Sequence, residues 1–194
     1  MSKARLEAFS DGVFAVAITL LVLEIAVPGE EGDLAHEVGQ LWPSFAAYAV
    51  SFLTIGIIWV NHHTMVTGFE RLDRTTLFLN LNLLLWVVLI PWSTALIAEH
   101  LRDGGADEAF AAAVYAANFL VMGFSFFAMW RHAGRARLVA VSGDTMRALV
   151  LRNTIGQGGY LIAFALAWVS APASLIVCGA VAVYYIHPGP LRLR

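Results

Sequence analysis

From Asn153 to Leu191 this chain contains no aspartate, glutamate, lysine or arginine. A stretch that long without a formal charge cannot coat a water-soluble domain. It also exceeds the roughly 20 apolar residues that one helix needs to cross a bilayer. Ser170-Ala171-Pro172 is its natural break, which makes it two hydrophobic helices. The remainder has the same character: 59 % of the 194 residues are hydrophobic and 13 % are charged, whereas a soluble domain carries about a quarter charged residues. Such a chain can build a core but not a water-facing coat. In hydrocarbon an open backbone stays unsatisfied, so each span must be helical. The expectation is an all-α polytopic membrane protein, a single domain over residues 1–194.

Read between its charges, the sequence gives six spans. The first runs from Phe9 to Val27, before Pro28-Gly29, and the second from Leu41 to Val60, with Pro43 at its start. The third runs from Thr75 to Ala98 with a kink at Pro91, and the fourth from Ala109 to Trp130. The fifth starts near Met146, and the sixth ends near His187-Pro188. Lys3, Arg5, Arg71, Arg74, Arg131, Arg135, Arg137, Arg147, Arg152, Arg192 and Arg194 then fall on one side, and Arg102 alone on the other. Glu30, Glu31, Asp33, Glu37, Glu99, Asp103, Asp107 and Glu108 share the side of Arg102. Cationic loops stay inside, so both termini are expected in the cytoplasm. An odd number of spans would scramble that partition.

Several function classes drop out. A net charge of −2 with no basic stripe excludes nucleic acid as a partner. One cysteine, Cys178, forms no intrachain disulfide and no cysteine-based metal site. Asp11 and Glu24 interrupt anything resembling a signal peptide. Neither Gly-x-Ser-x-Gly nor His-Glu-x-x-His occurs, so no enzyme is expected. The Thr-Val-Gly-Tyr-Gly filter of pore-loop potassium channels is absent as well. Adjacent His62 and His63 point about 100° apart on a helix with no carboxylate or cysteine at i+3 or i+4, so no metal site and no cofactor are expected.

The first helix is the informative one. An ionisable residue in a span is costly unless paired or wetted, and Asp11 sits near the start of this one, between Ser10 and Gly12. Helical spacing puts Asp11 on a face with Ala15, Ile18 and Val22. A second face presents Val16, Leu20 and Leu23, with Thr19 beside them. Two readings of that aliphatic stripe stand. It faces lipid or a neighbouring helix, or it lines a narrow path whose apolar constriction excludes water.

The run from Arg5-Leu6-Glu7-Ala8-Phe9-Ser10-Asp11 to Glu24 closely resembles the opening helix of bacterial relatives of the lysosomal potassium channel known as transmembrane protein 175. That family is marked by an arginine, three residues, then Phe-Ser-Asp. The likeness extends to Trp59-Val60-Asn61-His62-His63, to Asn80-Leu81-Asn82-Leu83 and to Pro91-Trp92-Ser93-Thr94. It covers the first half of the chain by motif and the second half by hydropathy. The resemblance implies a potassium-permeable channel without a pore loop, a homotetramer in a bacterial plasma membrane, in which four first helices surround the path. Carried onto this sequence, Val16, Leu20 and Leu23 would be the hydrophobic constrictions and Thr19 a ring of hydroxyls for dehydrating potassium ions. The resemblance leads one to expect isoleucine or leucine at the cytoplasm-nearest constriction. Val16 is smaller, which implies a wider neck.

The polar residues are expected to seat this helix in its own subunit. Ser10 and Asp11 would dock against His62, Asn80 and Asn82, with Arg5 near Asn61 or Trp59, and Asp11→Ala would abolish assembly or flux. The competing function class is a secondary transporter. Transporters show broken helices at mid-membrane and related halves, whereas this sequence has Pro91 as a single off-centre break and no repeat.

Overall fold

The computed structural model describes residues 2–29, 33–101, 104–187 and 189. Among these, eight α-helices follow one another: α1 (Lys3–Leu20), α2 (Leu34–Gln40), α3 (Trp42–Thr67), α4 (Arg74–Val88), α5 (Ile90–His100), α6 (Gly105–Arg135), α7 (Gly143–Ala167) and α8 (Ala171–Ile186). A 3-10 turn, Leu21–Glu24, ends α1. Glu30, Glu31, Arg102, Asp103, Arg192 and Arg194, which entered the charge partition, lie outside the described residues.

Helix ends follow local chemistry. Asp73 caps α4 by accepting from Thr76 N at 2.8 Å, Ser142 caps α7 by accepting from Thr145 N, and Ser170 caps α8 with Pro172 behind it. Each cap satisfies one of the unpaired N–H groups of a first turn. The expected third span is two helices. Pro91 has no N–H to give Val87 and its ring presses on that carbonyl, so the helix breaks at Leu89 and restarts at Ile90. The Val87 carbonyl takes the Leu89 N–H, the Leu89 carbonyl takes the Ser93 N–H (3.1 Å), and Ser93 Oγ (3.1 Å) and Thr94 Oγ1 (2.7 Å) donate to the Ile90 carbonyl within α5. The short α2 lies where the expected spans leave a loop; Asp33 caps it by accepting from Ala35 N at 3.1 Å.

Among the described residues four helical stretches are long and apolar enough to cross a membrane: Lys3–Glu24, Trp42–Thr67, Arg74–His100 and Gly105–Arg135. α8 is apolar but has 16 residues, about 24 Å at 1.5 Å per residue. Within its apolar run α7 carries Arg152, Asn153 and Gln157.

α6 is the central post, packing on α4, α5, α7 and α8. Ala111, Ala112, Ala113 and Ala116 are buried along it, and small residues let helix backbones approach closely. Phe119 fills the middle, edge-on to Tyr115 with centroids 4.8 Å apart and stacked on Tyr160 at 5.7 Å. A Cβ on Gly159 would overlap Val181, so the α7–α8 approach requires glycine there. At the end where α3 turns into α4, Glu70 N–H donates to the Leu138 carbonyl (2.9 Å) and His132 Nε2 meets Asp73 Oδ2 at 2.7 Å. These bonds fasten the α3–α4 turn to the α6–α7 turn. α1 packs on α3, α4 and α5, along one flank.

Candidate functional site

α1 is divided sharply between two faces. Leu6, Ser10, Phe14, Ala17 and Leu21 recur every three or four residues and are all buried against the bundle. The opposite side is open: Val16 is 58 % exposed, Leu20 39 % and Leu23 74 %, and Thr19 is exposed among them. Among the described residues this aliphatic stripe is left largely uncovered, a surface suited to lipid or to another chain. Because α1 tightens into a 3-10 turn at Leu21, where residues three apart eclipse, Leu23 comes into line with Leu20. The Thr19 hydroxyl lies within 2.9 Å of both the Ala15 and Val16 carbonyls of its own helix. Its proton is thus committed inward and its oxygen lone pairs face out.

The buried face is pinned by a three-member polar chain. Asn80 Nδ2 donates to Ser10 Oγ at 3.1 Å, and His62 Nε2 donates to Asn80 Oδ1 at 2.7 Å. Ser10, His62 and Asn80 are each at most 1 % exposed. Phe14 lies one turn above Ser10, with its ring 5.3 Å from the His62 ring. Buried polar groups are stable only when hydrogen-bonded, and this chain joins α1, α3 and α4 at one level. Asp11, on the neighbouring flank, is half-buried and accepts from Trp59 Nε1 at 2.8 Å.

The structure thus brings Ser10, Asp11, His62 and Asn80 together with Trp59, and the pairing differs from expectation. Asp11 meets Trp59 rather than His62. Asn82 donates to Ser125 Oγ on α6 at 2.7 Å, because residues two apart on a helix point about 200° apart, so Asn80 and Asn82 cannot both face α1. Asn61, next to His62, is turned about 100° away and donates to the Ile57 carbonyl of its own helix (2.8 Å). Arg5 is exposed and beside neither Asn61 nor Trp59 in hydrogen-bond terms. One contributor was not anticipated. Lys3 Nζ donates to the Thr67 carbonyl and, at 3.3 Å, to the Phe69 carbonyl, clasping the start of α1 to the end of α3. Glu7 buries Oε1 without a hydrogen-bond partner. Lysine is favoured at helix C-termini, but nothing in sequence tells which helix end it reaches.

The profile of the endosomal/lysosomal potassium channel TMEM175 family matches residues 5–91, the segment holding α1, α3, α4 and the break at Pro91. A potassium channel of Streptomyces collinus is 47 % identical over 94 % of this chain and 91 % of its own. The human endosomal/lysosomal proton channel TMEM175 is 35 % identical over 53 % of this chain and 23 % of its own. Among solved structures, a lysosomal potassium-selective channel TMEM175 homolog from Chamaesiphon minutus superposes with a TM-score of 0.86 at 40 % identity, over 95 % of this chain and 96 % of that one. The likeness that the first half carries by motif therefore runs through α8, and the chain is a membrane protein belonging to the TMEM175 potassium channel family.

Proposed function

We propose that this protein is a potassium-permeable channel of a bacterial plasma membrane, a homotetramer in which four copies of α1 surround the conduction path. Six spans cross the bilayer in this reading, α7 and α8 completing the set, with both termini cytoplasmic. The observation that carries it is the open face of α1: Val16, Thr19, Leu20 and Leu23 form one exposed stripe while the reverse face is sealed to the bundle. One helix cannot enclose a path, but symmetric copies closing on themselves can. Brought together, the aliphatic side chains make constrictions that stop ions by expelling water. Thr19 offers outward lone pairs in place of hydration oxygens. Ser10, Asp11, Asn80, His62 and Trp59 set the rotation of α1, so that the stripe and not the anchor faces the ions.

The transporter reading needs a broken helix whose freed backbone binds an ion. At the α4–α5 break the Val87 carbonyl accepts from Leu89 N–H and the Leu89 carbonyl from Ser93 N–H at 3.1 Å, which leaves those carbonyls engaged and favours the channel. The test is potassium flux from liposomes holding the purified chain. Leu23→Ser and Leu20→Asn are expected to raise flux several-fold by wetting the constriction. Flux unchanged in both variants, or flux that saturates and requires a counter-ion, overturns the proposal.

A further inference from the structure

Away from α1, helices α3, α6, α7 and α8 enclose a cavity of about 200 Å³. Its walls are apolar, with Ile58, Met122, Phe126 and Leu149 among them, and its polar groups include Arg152, Asn153 and Asn61. A depression of about 230 Å³ on the outer surface, bordered by Phe52 and Leu53, shares Ile57, Val60, Asn61, Tyr185 and Ile186 with it. Pockets that enclose a drug-sized ligand measure about 300–1,000 Å³. A smaller hollow opening onto a groove suits a long, thin molecule instead, part inside and part along the outside.

Arg152 gives the cavity its charge. It is half-buried, and one nitrogen, Nη2, donates to the carbonyls of Tyr185 (3.0 Å) and His187 (2.7 Å). Its guanidinium lies 5.2 Å from the Tyr185 ring centroid. These contacts fix the fork and cap the end of α8, but every partner is neutral. Among the described residues the ion pairs are His132–Asp73 and Arg147–Asp144, and no carboxylate reaches Arg152. Guanidinium has five N–H donors, so several remain for an anion. Asn61 and Asn153 each give an amide proton to their own helix, to the Ile57 and Leu149 carbonyls. Their side-chain oxygens are left as acceptors, suited to hydroxyl donors on a headgroup.

We propose that this cavity and groove bind an anionic glycerophospholipid, its phosphate on Arg152 and an acyl chain against the apolar wall. Inorganic phosphate would leave that wall without a partner, and a zwitterionic lipid brings its own cation to its phosphate. The proposal rests on the chain's place in a membrane-channel family and not on the assignment of α1.

The test is native mass spectrometry of the full chain released from nanodiscs with equal phosphatidylglycerol and phosphatidylcholine of matched acyl chains. The expected result is selective retention of phosphatidylglycerol, weakened about tenfold in Arg152→Gln, the loss expected for a charge-assisted hydrogen bond. Ala182→Leu, which adds bulk to the cavity wall and keeps Arg152 itself, is expected to weaken retention as well. Equal retention of the two lipids, or undiminished phosphatidylglycerol in Arg152→Gln, overturns the proposal. So does displacement of the lipid by inorganic phosphate, which would mark a plain anion site. Because Arg152→Gln also removes the α8 cap, a second measurement uses the native chain. Phosphatidylglycerol brominated on its acyl chain should quench Trp130, which lines the cavity, more than brominated phosphatidylcholine does, judged against Trp130→Phe. Equal quenching, as when the chain's own tail or another subunit occupies the cavity, overturns it too. No arm reads potassium flux, so this proposal and the pore assignment fail separately.

Discussion

Trp59 donates its indole N–H to Asp11 Oδ1 across 2.8 Å, fastening α1 to α3 at the edge of the sealed Ser10–Asn80–His62 chain. The bond is partly wet, with Trp59 43 % exposed, so its worth falls below the usual range for a hydrogen bond to a charged group, to about 1 kcal/mol. Asp11→Ala and Trp59→Phe are each expected to lower thermal stability slightly, and the double variant no further than the worse single one. A thermal-shift double-mutant cycle checks this; additive losses would mean the two residues act separately. Asp11→Ala is thereby expected to loosen the seating of α1 rather than abolish folding.

The buried chain is the more sensitive anchor. Asn80→Leu strands both Ser10 and His62, which are buried with no other partner described across the helices. Polar pairs in bilayers contribute about 0.6–2 kcal/mol, and a stranded buried group costs about 1–3 kcal/mol. The expected loss for Asn80→Leu is therefore about 2–3 kcal/mol in a denaturant titration of the detergent-solubilised protein. Adding His62→Leu should recover part of it, since one stranded group is then removed. A further full-sized loss in the double variant would refute the chain as the unit that holds α1.

The four long apolar stretches and the open stripe of α1 are legible because period and charge act locally: Val16, Leu20 and Leu23 follow from helical spacing alone. Which asparagine faces which helix is not local. The motif presents Asn80 and Asn82 together, and Asn61 beside His62, but their directions separate by about 200° and 100°, so Asn80 serves α1 and Asn82 serves α6, while Asn61 turns back to its own helix. The break at Leu89 was foreshadowed by Pro91. The clasp of Lys3 on α3 was not, because a long flexible side chain at a helix start has many reachable carbonyls and tertiary packing chooses among them.

Lys3 reaches the carbonyls of Thr67 and Phe69, where the negative end of the α3 dipole lies. A cation there contributes about 0.3–1 kcal/mol. Lys3→Ala is expected to speed amide exchange in the first turn of α1 and the last turn of α3, leaving α6 unchanged. Hydrogen-exchange mass spectrometry reads both peptides, and faster exchange in α1 alone would show that Lys3 does not bind α3.

Asp73 links the α4 cap to His132 on α6. Burial pushes its carboxyl up, but hydrogen bonds from Thr76 N, Thr76 Oγ1 and His132 outweigh that and hold it below the ordinary 3.8. A carboxyl with a lowered folded-state value stabilises the protein fully above the unfolded value and loses that contribution as pH falls through the folded one. Acidification from pH 5 to about pH 3 should therefore destabilise the native protein more than Asp73→Asn, which cannot titrate. Thermal midpoints across that window decide it; parallel curves would remove Asp73 from the acid response. The side chain is 38 % exposed, so the effect is expected to be small.

Thr19 gives the sharpest test of which way α1 faces. Its hydroxyl proton is held by the Ala15 and Val16 carbonyls, and its oxygen lies on the stripe between Val16 and Leu20. If four such oxygens ring a path, Thr19→Val removes them at nearly constant volume and shape. Potassium is then expected to lose its advantage over sodium, with the reversal potential under bi-ionic conditions moving toward zero, while the aliphatic constrictions still limit total flux. Thr19→Ser keeps the oxygen and should keep the selectivity. If the stripe faces lipid instead, Thr19→Val makes that surface more apolar and leaves the reversal potential where it was. The sign of that one shift separates a pore from a lipid face on the same exposed residues.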